Sequence, residues 1–216
     1  MLLKLLLIGF LLAGLLPGQV MNTRTVERTA VISQHDPKVR IELPKAARYV
    51  GGEHWILYGM DDCELHAFVE ADQQRQVRKL YWVQFEAYLP SKPNLKHRYD
   101  SPRHATLGGL DFYVDTWVWR RAEKARPGSD VEHLRALLRS QGYSLPSGMM
   151  QVRLVHLMHG KRKELMIIYG EDLANTGFNA EGLQKGGRAR DHWTSMQNGL
   201  IQRAEQQIRI ENTTQP

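Results

Sequence analysis

The sequence predicts an α+β fold, an antiparallel β-sheet of about seven strands packed against one short helix and one long C-terminal helix. Three observations predict it. Alternating segments flank short polar turns at 63–89 and again at 151–169, which is the pattern of antiparallel hairpins. Helical caps and apolar stripes occur in two places only, after Ser129 and near the C-terminus. The order of elements, mostly strands with few helices between them, lacks the regular strand–helix alternation of a parallel sheet.

In chain order, residues 1–20 read as a signal-like segment and 21–216 as a single domain. Lys4 precedes an apolar stretch from Leu5 to Leu16, which Pro17-Gly18 breaks; that is the charged-then-apolar order of a secretory signal. The stretch falls short of the roughly 20 apolar residues a spanning helix needs, so no stable membrane span is expected. Export to the periplasm or beyond is the expectation; the alternative is translation from Met21 and a cytoplasmic protein.

Val39, Ile41 and Leu43 alternate with Lys38, Arg40 and Glu42 and predict a half-buried strand ended by Pro44; His54 to Tyr58 predicts another after Gly51-Gly52. Cys63, Leu65, Ala67 and Val69 then share one face, and after a turn at 71–76 the run from Val77 to Leu89 alternates in the same way. Face matching pairs Cys63 with Phe85, Leu65 with Val83 and Ala67 with Tyr81, because a one-residue slip would set apolar against polar. From Pro90 to Gly109 no period of two or 3.6 is visible, and a long loop is expected. Asp111 to Trp119 is the next strand. Ser129 and Glu132 have capping-box spacing ahead of an apolar stripe of Val131, Leu134, Leu137 and Leu138, with Gly142 as the stop. Gln151–His159 and Lys163–Tyr169 form the second hairpin over Gly160. After a Gly-rich loop, Asp191 is expected to cap a long helix that aligns Trp193, Met196, Leu200, Ala204 and Ile208. This order resembles that of helix-grip ligand-binding domains, a likeness of fold alone.

The 216 residues suffice for one sizeable core. A hydrophobic fraction of 42% and a mean hydropathy of -0.45 place the chain among soluble globular proteins. The net charge of +6 is spread among 23 acids, so it marks a solvated surface and no nucleic-acid partner. Cys63 is the single cysteine, which excludes an intrachain disulfide and a cysteine-based zinc cluster. Its acidic neighbours disfavour a reactive thiolate. His156 and His159, three apart on a strand, point to opposite faces, so no metal site is expected of them. The chain contains no P-loop, dinucleotide fingerprint, zinc-protease helix or G-x-S-x-G elbow, and no cofactor is expected.

Two groups of residues carry possible chemistry. The hairpin register puts Glu64, His66, Trp82 and Glu86 together opposite the core face. Glu64, His66 and Glu86 are the candidate catalytic residues for acid–base work in a hydrolase or isomerase; the plainer account is a solvent face of paired charges. Asp111, Tyr113, Asp115 and Trp117, with Trp82 and Tyr88, are the candidate ligand-binding residues, since rings beside acids grip partly apolar or cationic molecules. Trp119 ends the same strand face, and these rings can instead simply pack under a helix. The leading expectation is an exported, non-catalytic protein that binds a small, partly apolar ligand between the sheet and the C-terminal helix. A hydrolase or isomerase and a protein-interaction module are the alternatives.

Overall fold

The computed structural model describes residues 24–213, so the signal-like segment 1–20 lies outside the described residues. The fold is α+β. A seven-stranded antiparallel sheet is built from β4 (Arg48–Leu57), β5 (Asp61–Ala71), β6 (Val77–Tyr88), β7 (Arg103–Leu107), β8 (Leu110–Arg120), β9 (Gly148–Met158) and β10 (Lys163–Asp172). Its spatial order is β4-β5-β6-β10-β9-β8-β7. A second antiparallel sheet joins β1 (Thr25–Glu27), β2 (Ala30–Gln34) and β3 (Lys38–Glu42) to the C-terminal β11 (Arg209–Asn212). The expected strand at 38–43 therefore belongs to the small sheet, and β7 takes its place in the large one.

Three helices complete the described residues: α1 (Asp130–Ser140), the single turn α2 (Ala180–Leu183) and α3 (Trp193–Gln207). None is long and apolar enough to cross a membrane. Helix α1 begins as its sequence predicts. Ser129 accepts the backbone N–H of Glu132, and the Glu132 carboxylate reaches back to the Gly128 N–H at 2.7 Å, so two N–H groups at the helix start are satisfied reciprocally. Helix α3 does not begin as expected. Asp191 lies in the preceding 3-10 turn, and the residue before Trp193, His192, makes no side-chain cap. The stripe still holds, with Trp193, Leu200 and Ala204 buried.

The large sheet is covered on both faces. On one, α3 and the small sheet bury Phe85, Phe112, Leu154, Ile167 and Tyr169. On the other, α1 packs over Leu65, Ala67, Leu80, Trp82 and Ile168. Gly51, which reads in the sequence as a break before a strand, sits inside β4 because a Cβ there would stand 3.0 Å from Leu137 Cδ1 of α1.

This double coverage explains the largest correction. Near the turn Ala71 pairs with Val77, as face matching requires, but a β-bulge between Glu70 and Ala71 shifts the remaining pairs by one residue. Cys63 therefore faces Glu86, Leu65 faces Gln84 and Ala67 faces Trp82. Strand side chains alternate with a period of two, so the slip turns all of β6 over relative to β5. Glu64 and His66 lie on the α3 face and Trp82, Glu86 and Tyr88 on the α1 face. Face matching failed because it assumed that one face meets water, whereas both are buried.

The expected loop at 90–109 is also revised. Its second half is β7, which turns through Gly108-Gly109 into β8; its first half crosses the end of the α1 face and brings His97, Tyr99 and Ser101 onto it.

Candidate functional site

The α1 face changes from apolar to acidic along the strands. Ala67, Trp82 and Ile168 are neighbours in one row across β5, β6 and β10; Leu65, Gln84 and Met166 form the next row, and Cys63, Glu86 and Glu164 the one after. The polar residues of β6 and β10 are thus stacked at the end where Asp61 opens β5.

Between the sheet and α1, at the apolar end, lies a cavity of about 200 Å³. The rings of Trp82, Trp117 and Trp119 wall it, with Leu134, Met166 and Ile168. Asp130, Arg135 and Arg153 also line it, and each carries a buried atom with no hydrogen-bond partner among the described residues: Asp130 Oδ1, Arg135 Nε and Arg153 Nε. Both arginines also make other contacts. Arg135 Nη1 donates to the Glu123 carbonyl at 2.8 Å with its guanidinium 4.9 Å from the Trp119 ring centre, and Arg153 Nη2 donates to Asp115 Oδ2 at 2.7 Å. Buried polar atoms are nearly always paired, so three unpaired ones on residues lining one space are unusual, although each is itself covered by neighbouring atoms.

A relay of side chains leads from the cavity to the acidic end. Trp82 Nε1 donates to Gln84 Oε1 at 2.6 Å, and Gln84 Nε2 donates to Glu86 Oε1 at 2.6 Å. Beyond Glu86 stand Asp61, Glu164 and His97, all less than a tenth exposed. His97 Nδ1 is 3.1 Å from Glu164 Oε2, and the Tyr99 hydroxyl donates to both Glu164 oxygens at 2.8 and 2.9 Å. The Tyr88 ring stacks on His97 with centres 4.4 Å apart.

Arg162, in the turn between β9 and β10, holds the segment that delivers His97. Its guanidinium donates to the carbonyls of Tyr88, Leu89, Lys92 and Leu95, and the His97 N–H donates to the Lys161 carbonyl. Nothing in local propensity marks such a loop, since its geometry depends on a residue some seventy positions away.

Crowding acids away from water shifts their protonation. Burial, with Asp130 and Asp62 adding their charge, pushes Asp61 up to about 7. Glu164 rises to about 7 mainly through burial, against the opposing hydrogen bond from Tyr99. Glu86 is raised well above the ordinary carboxylate range by burial and then by Glu164, Asp130 and Asp61. Burial lowers His97 to about 4 and raises the Cys63 thiol, which keeps the thiol protonated. Such a group of perturbed residues in one place is typical of functional sites.

The residues singled out in the sequence are divided among three places. Glu64 and His66 form a buried pair on the α3 face: His66 Nε2 is 3.0 Å from Glu64 Oε1, Arg24 Nη1 is 3.1 Å from Glu64 Oε2, and the Tyr49 hydroxyl is 3.2 Å from His66 Nδ1. Glu86, their expected companion, points to the other side of the sheet, so the three do not form one site. Trp82 and Trp117 line the cavity, whereas Tyr88 belongs to the acidic end. Asp115 pairs with Arg153, Tyr113 packs beside Tyr99 with ring centres 6.2 Å apart, and Asp111 is exposed and accepts from Thr106. The tryptophan-walled cavity lies on the α1 face; on the α3 face Leu200 and Ala204 pack into the core, and a more open pocket is lined by Arg103, His104, Val114, Asn198 and Ile201. Asp61, Gln84, His97, Tyr99, Asp130 and Glu164 were not singled out by sequence. Glu164 did leave a signal, as a charge at the start of the nearly unbroken apolar run Leu165 to Tyr169.

Compared with family models, curated proteins and solved structures, the chain finds no match.

Proposed function

We propose that this protein binds a small, partly apolar ligand in the cavity between the large sheet and α1, and that it does so without catalysing a reaction. The observation that carries this reading is a cavity walled by three tryptophan rings and flanked by the charged side chains of Asp130, Arg135 and Arg153. An enclosed apolar space of roughly 150 Å³ holds a benzene-sized guest, so about 200 Å³ suits a ligand of one or two rings. Arg135 and Arg153 suit an acceptor group on its edge, and Asp130 suits a donor.

Tryptophan emission supplies the test, because three of the five tryptophans line the cavity. Indole-3-carboxylate is a suitable first probe, being bicyclic with one anionic edge. Saturable quenching or shift of the emission in the native protein, abolished in Leu134→Trp where the cavity is filled, is the expected result. Equal responses from the two proteins would place the probe elsewhere. Native mass spectrometry of gently purified protein then asks whether a ligand of similar size travels with the chain.

Export remains part of the proposal on the strength of Lys4 to Leu16. Its test is the intact mass of the mature chain from the envelope fraction, expected to correspond to cleavage near Gly18. A chain starting at Met21 in the cytoplasm would overturn it. The cavity between sheet and α1 favours a small ligand over the interaction-module alternative, which needs no internal space.

A further inference from the structure

We propose that Asp61, Glu86 and His97 form a binding site for one divalent transition-metal ion, with Glu164 orienting His97 from behind. The site is separate from the tryptophan-walled cavity and does not depend on the ligand proposed for it. One donor atom from each of the three side chains lies within 4.8 Å of the others, and all three residues are buried.

The argument begins with hydrogen-bond roles. Glu164 accepts the Tyr99 hydroxyl on both oxygens and stands 3.1 Å from His97 Nδ1; in its ionised form it can only accept there, which puts the proton of the neutral imidazole on Nδ1. The other nitrogen, Nε2, is then a bare acceptor. It has no hydrogen-bond partner, although the ring is more than nine-tenths buried. What it faces is a second acceptor, Asp61 Oδ2 at 3.7 Å, while Asp61 Oδ1 is likewise buried and unpartnered. Glu86 supplies a third acceptor in the same space.

Three side chains that can each present an acceptor converge on one space, which suits a positive ion held between them. A proton shared by Nε2 and Asp61 would require the pair to stand about 3 Å apart, and 3.7 Å is too long. Two donors each about 2.1 Å from a common ion, at an angle near 120°, stand roughly 3.6 Å apart. The 3.7 Å spacing of Nε2 and Asp61 Oδ2 is compatible with both atoms on one ion. Two carboxylates and an imidazole suit Zn²⁺ or Mn²⁺, and the two negative charges neutralise the ion.

The surroundings are also those of a metal site. Ligating histidines usually donate their other N–H to a carboxylate, which Glu164 provides, and the Tyr99 hydroxyl in turn fixes Glu164. Gln84 holds Glu86 Oε1. Tyr88 stacks on the imidazole face and shields the ring.

The test uses the full chain, stripped with a chelator and titrated by calorimetry with ZnCl₂ and separately with MnCl₂. Binding of one equivalent of at least one ion is expected, weakened more than tenfold in His97→Ala and Asp61→Asn, and roughly 10–100-fold in Glu164→Gln. Absence of saturable binding, or unchanged affinity in folded variants, would overturn the proposal and leave an adventitious ion only. Should the variants not fold, the native protein still decides through Mn²⁺ broadening of histidine NMR signals. The His97 ring must broaden before those of His35 and His192; broadening of His35 or His192 first would sink the assignment.

Discussion

Glu164 and His97 meet at 3.1 Å although they come from a central strand and a surface-crossing segment, and that contact joins the acidic end of the sheet to the chain that covers it. Glu164 is a cross-strand neighbour of Glu86, so two acids stand side by side on central strands, where among the described residues His97, Tyr99 and Gln84 contact them. The stability of this region therefore rests on a few hydrogen bonds whose loss is measurable.

The Tyr99 hydroxyl is the main partner of Glu164. Tyr99→Phe removes both contacts but keeps the ring, leaving a buried carboxylate short of a donor, and is expected to cost roughly 1–3 kcal/mol. Urea unfolding of the two proteins at one pH measures it; an unchanged midpoint would show that Glu164 finds another donor.

Arg162 holds four carbonyls of the 88–95 segment. Arg162→Ala leaves those carbonyls unpaired and is expected to loosen the segment that carries His97 while the sheet stays formed. Limited trypsin digestion should then cut after Lys96 and Arg98 faster than in the native protein. Unaltered cleavage would mean that the segment is held by other contacts.

Tyr49 provides a pH dependence. Its hydroxyl faces His66, with Glu64 beyond, and partial burial followed by the Glu64 charge pushes the phenol up to about 12 from its ordinary value of 10, an effect that solvent screening weakens because the residue is 39% exposed. Because the folded value is raised, the stabilising contribution is complete below about pH 10 and is lost as pH rises through about 12. The stability difference between the native protein and Tyr49→Phe is expected to be constant at neutral pH and to shrink across that window. A difference that is flat through it would contradict the shift.

Gly108 ties the two sheets together. It turns β7 into β8 with φ of +58°, and a Cβ there would stand 2.3 Å from the Ile210 carbonyl oxygen of β11. Gly108→Ala is expected to destabilise by more than about 1 kcal/mol, through the strained φ and the backbone contact together. Thermal unfolding measures it, and a midpoint equal to that of the native protein would show that β11 yields at no cost.

The sequence by itself determined the α+β class, the two long hairpins, the cap and stripe of α1 and the buried face of α3. Each rests on contacts between residues near one another in the chain, such as Ser129 with Glu132 or the alternation from Lys163 to Tyr169. Tertiary structure alone decided which face of β6 accompanies which face of β5. A bulge at Glu70 and Ala71 moves every later pair by one, and because both faces of the sheet are buried, alternation carries no label for the inside. It also decided the acidic cluster. Asp61, Glu86, His97 and Glu164 come from three strands and a loop, and His97 reaches them only because Arg162 binds that loop from the far end of another hairpin. Pairings of that kind depend on the closed three-dimensional arrangement of the sheet, and no local pattern of residue types encodes them.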